Sequence, residues 1–225
     1  MKRQEMLSRI RSALDRNDPT QLDVALLEKK MRHEFGQSPD QSSSKIGLSK
    51  EDLLMRFAVG AKKNTIDLIE VENRKNIPSK LKNHFSKMWA QSPILCFENE
   101  ICELPWRSED LTIHNGESVS EYKVGMSLAW GGIAETGTLM LLSSRSSPTF
   151  LSFLSEIHII ILKASQIFNT MEEAFAHFLT TYEKERLPHS INLISGASRT
   201  GDIGGHIVHG AHGPIQLAVV LIRCE

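Results

Sequence analysis

Residues 195–214 gather much of the polar chemistry of this chain between two apolar runs. One run, at 191–194, precedes the segment, and another, at 217–222, follows it. Apolar runs bounded by turn residues are typical of buried strands, so we expect both runs in one central sheet. An open α/β sheet places its ligand crevice just after such strands. The segment therefore predicts a ligand site, because a core alone does not require arginine, aspartate and several histidines there.

From residue 49 onward, helical and strand patterns alternate along the chain. Ser49 is a good N-cap for a helix to about residue 63, and Thr170 for one to about residue 186. Strands that alternate with helices indicate βαβ units and a mostly parallel sheet with helices on both faces. The sequence predicts an α/β fold with strands at 65–71, 93–97, 119–127, 137–143, 156–163, 192–195 and 217–223, and with two further helices at 78–90 and 148–154.

The first 48 residues differ in pattern from the rest. Residues 1–16 and 22–35 have helical spacing of apolar residues, and residues 36–44 are rich in Gln, Ser and Pro, which is typical of a linker. We therefore expect an N-terminal helical arm and linker over 1–48 and one larger domain over 49–225. The arm is interpreted as a solvated element that packs loosely on the body, with docking of a partner as the alternative.

Composition excludes several classes of function. The 225 residues carry a formal net charge of −1, so the net charge predicts no electrostatic attraction to nucleic acid or to an anionic membrane. No apolar run approaches the roughly 20 residues of a membrane span, and the start lacks a signal-peptide core. We therefore expect a cytoplasmic protein. Its three cysteines form no CxxC pair, so no iron–sulfur cluster is expected on this chain.

A glycine-rich segment at residues 131–139 holds the first candidate catalytic group. Its paired glycines allow a tight turn and close approach by a ligand. Glu135 follows among small residues, and could act as a general base, a nucleophile or an acceptor for a substrate hydroxyl. The alternative is a bend in which Glu135 is bonded to backbone amides or to an arginine. Thr136 beside it is a candidate substrate-binding residue.

The second segment, 195–205, is a candidate anion site. A glycine-rich turn such as that at Gly196 presents several backbone N–H groups to one point, and the hydroxyls of Ser198 and Thr200 can join them. Arg199 adds a planar fork suited to carboxylate or phosphate. Asp202 could orient Arg199 or cap the next turn. The segment matches neither the P-loop nor the Rossmann glycine spacing, and an Arg–Asp structural pair is the alternative.

The third segment contains His206, His209 and His212. A metal site is conceivable from this spacing, but Gly210 and Gly213-Pro214 break the helix that would align the imidazoles. No metal site is predicted. We favour a hydrogen-bonding or acid–base role for His212, which the Gly-Pro turn would hold in place, over a plain turn histidine.

These motifs together resemble the LUD domain of the lactate utilisation protein C family. The resemblance rests on residues 134–138 (AETGT), 195–203 (SGASRTGDI) and 210–214 (GAHGP) in this order. It implies that residues 49–225 are a LUD domain with a Rossmann-like three-layer α/β/α fold, similar to sugar-phosphate isomerases and CoA transferases.

The resemblance also implies a role in oxidising L-lactate to pyruvate beside separate iron–sulfur subunits. In that role Arg199 would clamp the carboxylate of a small anionic ligand, helped by Ser198 and Thr200, and Asp202 would orient Arg199. Glu135 or His212 would accept the proton of the 2-hydroxyl. Two alternatives stay open: a stand-alone enzyme on a phosphorylated sugar, CoA ester or folate-like substrate, and a non-catalytic assembly or regulatory module.

Overall fold

The computed structural model describes Arg9, Ser12 and residues 48–85, 93–116, 122–182, 187–201 and 206–224. The chain divides into two compact units, Met1–Gly47 and Leu48–Glu225. In the first unit Arg9 and Ser12 are helical, and the rest of the predicted arm lies outside the described residues. The second unit contains every strand given below.

From residue 48 onward, the described residues contain five α-helices and twelve strands. The helices are α1 (Lys50–Lys63), α2 (Ile77–Phe85), α3 (Asn99–Cys102), α4 (Leu151–Leu154) and α5 (Met171–Thr181). The strands are β1 (Asp67–Val71), β2 (Ile94–Cys96), β3 (Ile113–Asn115), β4 (Val124–Leu128), β5 (Gly131–Ile133), β6 (Thr138–Leu142), β7 (Ile157–Lys163), β8 (Ile167–Phe168), β9 (Ile191–Ile194), β10 (Arg199–Thr200), β11 (Val208–His209) and β12 (Gln216–Ile222). Among these helices none is both long and apolar enough to cross a membrane.

A six-stranded parallel sheet forms the centre, in the order β1-β12-β7-β4-β2-β3. Strands β7 and β12 pair over their full length, from Gln216 opposite Ile157 to Ile222 opposite Lys163. Both are almost continuous apolar runs, as expected for parallel strands that are covered on two faces. The predicted α/β fold with a mostly parallel sheet is confirmed.

A second, four-stranded sheet in the order β8-β5-β6-β9 was not predicted. Its β5–β6 and β6–β9 pairs are antiparallel. The predicted strands at 137–143 and 192–195 form β6 and β9, so their assignment to the central sheet was wrong. The run at 191–194 is also less buried than predicted, because β9 is an edge strand and Leu193 is 41% exposed.

Three apolar clusters hold these layers together. One face of the central sheet packs on α2 through Ile77, Leu81 and Phe85. The other face packs on Phe57 of α1 and on Leu139 of the second sheet. The outer face of the second sheet is covered in turn by Ala174 and Phe178 of α5, among others.

Helix α1 begins and ends with specific caps. Ser49 and Asp52 form a reciprocal capping box, in which the Ser49 hydroxyl accepts from the Asp52 amide at 3.1 Å. The helix ends at Lys63, and Asn64 is its C-cap. Thr65 follows with φ +54°, in the left-handed region that β-branched residues rarely adopt. This end of α1 positions the candidate site.

Candidate functional site

The described parts of the polar segment, 195–201 and 206–214, lie at the amino edge of the central sheet. The Ser198 amide donates to the Pro214 carbonyl at 2.9 Å, and the Ile215 amide to the Glu156 carbonyl at 2.8 Å. These residues stand just before β12 and β7. The expected position, beyond the end of a strand of the central sheet, was wrong: the strand that precedes the segment, β9, belongs to the second sheet.

A short hairpin brings several predicted site residues together. Strands β10 and β11 pair antiparallel, with Arg199 opposite His209. The Gly210 amide donates to the Ser198 carbonyl at 2.9 Å, and the His212 amide donates to the Ser198 hydroxyl at 3.3 Å. Ser198, Arg199 and His212 are thus neighbours within one structural unit. Thr200 belongs to the same hairpin, whereas Asp202 lies outside the described residues.

The end of α1 joins this hairpin to the turn after β5. The Arg199 guanidinium donates to the Thr65 hydroxyl, and that hydroxyl donates to the Asn64 carbonyl at 2.7 Å. The Asn64 side-chain amide donates to the Thr136 carbonyl at 2.8 Å. Arg199 and Thr136 are far apart in sequence, but they are hydrogen-bonded to the adjacent residues Thr65 and Asn64.

Thr65 stores backbone strain at this junction. A β-branched residue in the left-handed region costs on the order of 1–3 kcal/mol, and such strain clusters at functional sites. Sequence reasoning did not single out Asn64 or Thr65. An Asn after Lys62-Lys63 is a recognisable helix-stop signal, but nothing in it indicates a bond to an arginine 134 residues away.

Two glycines allow the close approach of these segments. A Cβ on Gly137, whose φ is +66°, would lie 2.2 Å from the Gly60 carbonyl carbon. A Cβ on Gly196, whose φ is +117°, would lie 2.5 Å from the Asn64 carbonyl oxygen. Gly196 thus acts in this structure by letting its loop contact the end of α1.

A chain of hydroxyls also connects the two predicted motifs. Thr136 and Thr138 are hydrogen-bonded at 2.7 Å between their hydroxyl oxygens, and Thr138 and Ser195 at 2.7 Å. Thr138 is buried whereas Thr136 is exposed. These hydrogen-bonded hydroxyls therefore connect the exposed Thr136 to Ser195, the first residue of the segment that contains Arg199.

Glu135 contacts a different element. Its Oε1 accepts from the Met171 amide, the first of α5, at 3.0 Å, and its own amide donates to the Asn169 carbonyl at 3.1 Å. A carboxylate at a helix N-terminus is stabilised by that amide and by the helix dipole. This is the bond to a backbone amide that the sequence left open as the structural alternative. The side chain is nevertheless exposed, as are those of Arg199 and His212.

No group of three or more histidine, cysteine, aspartate or glutamate side chains is arranged to hold a metal ion, within the part of the chain that the structure describes. The described site groups are a guanidinium, hydroxyls, backbone amides, imidazoles and the Glu135 carboxylate. The guanidinium, the hydroxyls and the backbone amides are donors suited to binding a small oxyanion by hydrogen bonds.

A family model described as the LUD domain matches residues 96–222, more than half of the 225 residues. The chain belongs to the LUD domain family. The matched range of this LUD protein extends from β2 to β12 and includes every residue predicted for the site. Asn64 and Thr65, which hold Thr136 and Arg199, precede it.

The curated relatives of this LUD protein carry two kinds of name. The uncharacterized protein NMB1437 of Neisseria meningitidis is 35% identical over 133 residues, covering 57% of this chain and 50% of that protein. Lactate utilization protein C of a Geobacillus species is 30% identical over 127 residues, covering 52% and 53%. In these matches the chain spans about half the length of the relative. Lactate utilization protein C of an Exiguobacterium species aligns more fully, at 27% identity over 98% of this chain and 96% of that protein.

A solved structure has the same fold. The crystal structure of a DUF162 family protein from Deinococcus radiodurans matches with a TM-score of 0.59 and 19% identity, covering 78% of this chain and 99% of that chain. At this identity the likeness supports the α/β architecture of the LUD protein alone.

Proposed function

We propose that this protein is a cytoplasmic, cluster-free subunit of a system that oxidises L-lactate to pyruvate. The names of the Geobacillus and Exiguobacterium relatives support a role in lactate utilisation. The observation that carries the proposal is the anchored arginine, because the Thr65 hydroxyl holds the Arg199 guanidinium in the same hairpin as Ser198 and His212. An exposed, oriented guanidinium beside hydroxyls suits a small carboxylate.

In this proposal the carboxylate of L-lactate binds to the fork of Arg199. Thr65 accepts from one nitrogen of the guanidinium, and a guanidinium has five N–H donors, so the carboxylate would bind to donors that Thr65 does not use. The Ser198 hydroxyl accepts from the His212 amide and keeps its own hydrogen to donate. The Thr200 hydroxyl and the amides near Gly196 would complete the contacts, and Asp202 would orient Arg199.

Oxidation of the 2-hydroxyl carbon removes two electrons and two protons. His212 would accept the hydroxyl proton, since its backbone is fixed next to Ser198. Glu135 is the alternative acceptor, because Thr136, its neighbour, is tied through Asn64 to the residue that holds Arg199. The Cα–H bond would break as well, with its proton released to water, and the two electrons would pass one at a time to iron–sulfur clusters on partner subunits. The cysteine spacing of this chain does not suit a cluster of its own.

A tagged pull-down of the full chain from its native host grown on L-lactate tests this proposal. Mass spectrometry should identify iron–sulfur subunits in the retained material, and the assembly should reduce an electron-accepting dye when L-lactate is added. A parallel pull-down with Arg199→Lys is the matched control. It should retain the same subunits but oxidise L-lactate more slowly, because an ammonium lacks the planar fork.

The other outcomes discriminate between the alternatives. Recovery of the chain alone under gentle conditions would contradict the assembly and favour a stand-alone enzyme. An Arg199→Lys assembly with unchanged lactate oxidation would favour a non-catalytic module. Within an active assembly, His212→Gln and Glu135→Gln identify the proton acceptor, because only loss of the true acceptor should lower the rate by about 100-fold or more.

A further inference from the structure

The carboxyl edge of the central sheet, opposite the site described above, contains its own crevice. Strands β2 and β4 are neighbours there. The chain leaves β2 toward β3 on one side, and leaves β4 through the second sheet toward β7 on the other side. Such a reversal is the switch point at which open α/β sheets bind ligands. None of the site residues predicted from the sequence lies at this switch point.

A cavity of about 450 Å³ occupies this switch point. Leu128, the last residue of β4, lines it on one side together with Trp130, and Glu98, two residues beyond β2, lines it on the other. The serine-rich loop 143–147 closes a further side through Ser143, Ser144 and Ser147. The volume is in the range typical of small-molecule sites, about 300–1,000 Å³.

The carboxyl group of Glu98 favours a ligand different from the one proposed for the other edge. Glu98 is half-buried, and burial raises the pKa of its carboxyl, while the Ser146 side chain lowers it in part. Among the described residues that line the cavity none is lysine or arginine. The Glu98 carboxylate would repel an anion such as lactate, whereas it would accept hydrogen bonds from a neutral donor. The cavity is therefore suited to a neutral ligand.

The other lining groups supply hydrogen bonds on a rigid wall. Ser147, Gln166, Tyr182 and His189 provide hydroxyl, amide and imidazole groups that both donate and accept. The Trp130 ring is stacked on Phe168 with ring centroids 5.5 Å apart, and the Phe178 ring meets it edge-on at 5.7 Å. This packing fixes the indole as an apolar surface for the C–H groups of a ligand.

We propose that this cavity binds a neutral vicinal diol, which is either a free sugar or the ribosyl part of a nucleoside. A vicinal diol offers two adjacent O–H donors, and a carboxylate such as Glu98 accepts both. The remaining hydroxyls of such a ligand would exchange hydrogen bonds with Ser147 and Gln166. This binding is independent of the lactate site, since the two sites lie at opposite edges of the sheet.

The test is titration of the full-length protein with D-ribose, adenosine and 2′-deoxyadenosine, followed by ligand-observed NMR. Binding of adenosine that 2′-deoxyadenosine does not reproduce would support the diol and identify a nucleoside. Binding of ribose with an affinity similar to that of adenosine would support the diol and identify a sugar. Binding of neither diol, or equal binding of adenosine and its 2′-deoxy form, would overturn the proposal.

Variants locate the binding in the cavity. Glu98→Gln should weaken binding of the diol about tenfold or more, because a neutral amide oxygen accepts more weakly than a carboxylate. Ser147→Ala, which leaves the loop backbone intact, should weaken it about threefold and serves if Glu98→Gln does not fold. Arg199→Lys should leave it unchanged. Unaltered affinity in both cavity variants would place the ligand elsewhere and refute the assignment.

Discussion

His158 is a buried imidazole at the centre of the parallel sheet. Its Nε2 is 3.0 Å from the Ser127 hydroxyl, and its Nδ1 has no partner among the described residues. Burial lowers the pKa of His158 to about 3 from the ordinary 6.5. The folded protein therefore keeps this ring neutral over a pH range in which the unfolded chain binds a proton.

The pH dependence of stability follows from this difference. As pH falls from about 6.5 toward 3, the unfolded state binds one more proton than the folded state at this residue, so the free energy of unfolding decreases by up to about 1.4 kcal/mol per pH unit. His158→Gln should remove that contribution to the slope, as measured by urea unfolding between pH 7.5 and 4.5. His114→Gln, at an exposed position on β3, is the control. Equal slopes for wild type and His158→Gln would contradict this assignment.

At the scale of elements, the contact between α1 and the turn after β5 sets the geometry of the site. Gly137→Ala would place a methyl group 2.2 Å from the Gly60 carbonyl carbon, at a φ of +66°. We expect a loss of about 2–4 kcal/mol in the free energy of unfolding, from overpacking and from the left-handed backbone together. Gly201→Ala is the matched control, since a Cβ there has nothing within 4 Å. Similar losses in denaturant unfolding of the two variants would show that this close contact is unimportant.

The sequence predicted the individual strands far better than it predicted which strands lie side by side in a sheet. The runs at 157–163 and 217–222 predicted buried parallel strands, because a strand covered on both faces must be apolar throughout. The run at 191–194 is also mostly apolar and yet forms an edge strand of the second sheet. The hydrophobic pattern indicates how buried an element is and whether it is a helix or a strand. It does not indicate which strand is its neighbour in the sheet.

At the scale of the whole molecule, strand order decides which polar groups meet. The sequence predicted Ser198, Arg199 and His212 as a cluster because they are close along the chain, and the hairpin brings them together. Asn64 and Thr65 were not predicted, because they contact that cluster only through the tertiary fold. The crevice at Glu98 was not predicted either, because it exists only where the order of strands reverses.

The anchored arginine also makes a prediction about lactate itself. Calorimetric titration of the purified full chain with L-lactate should show binding that Arg199→Lys weakens about tenfold or more. Thr65→Val removes the hydroxyl that holds Arg199 but keeps the side-chain shape, and should also weaken binding. Thr65→Ser keeps the hydroxyl and should bind like wild type, as should Glu98→Gln. Equal affinity of wild type and a folded Arg199→Lys variant for L-lactate would contradict carboxylate binding at this site.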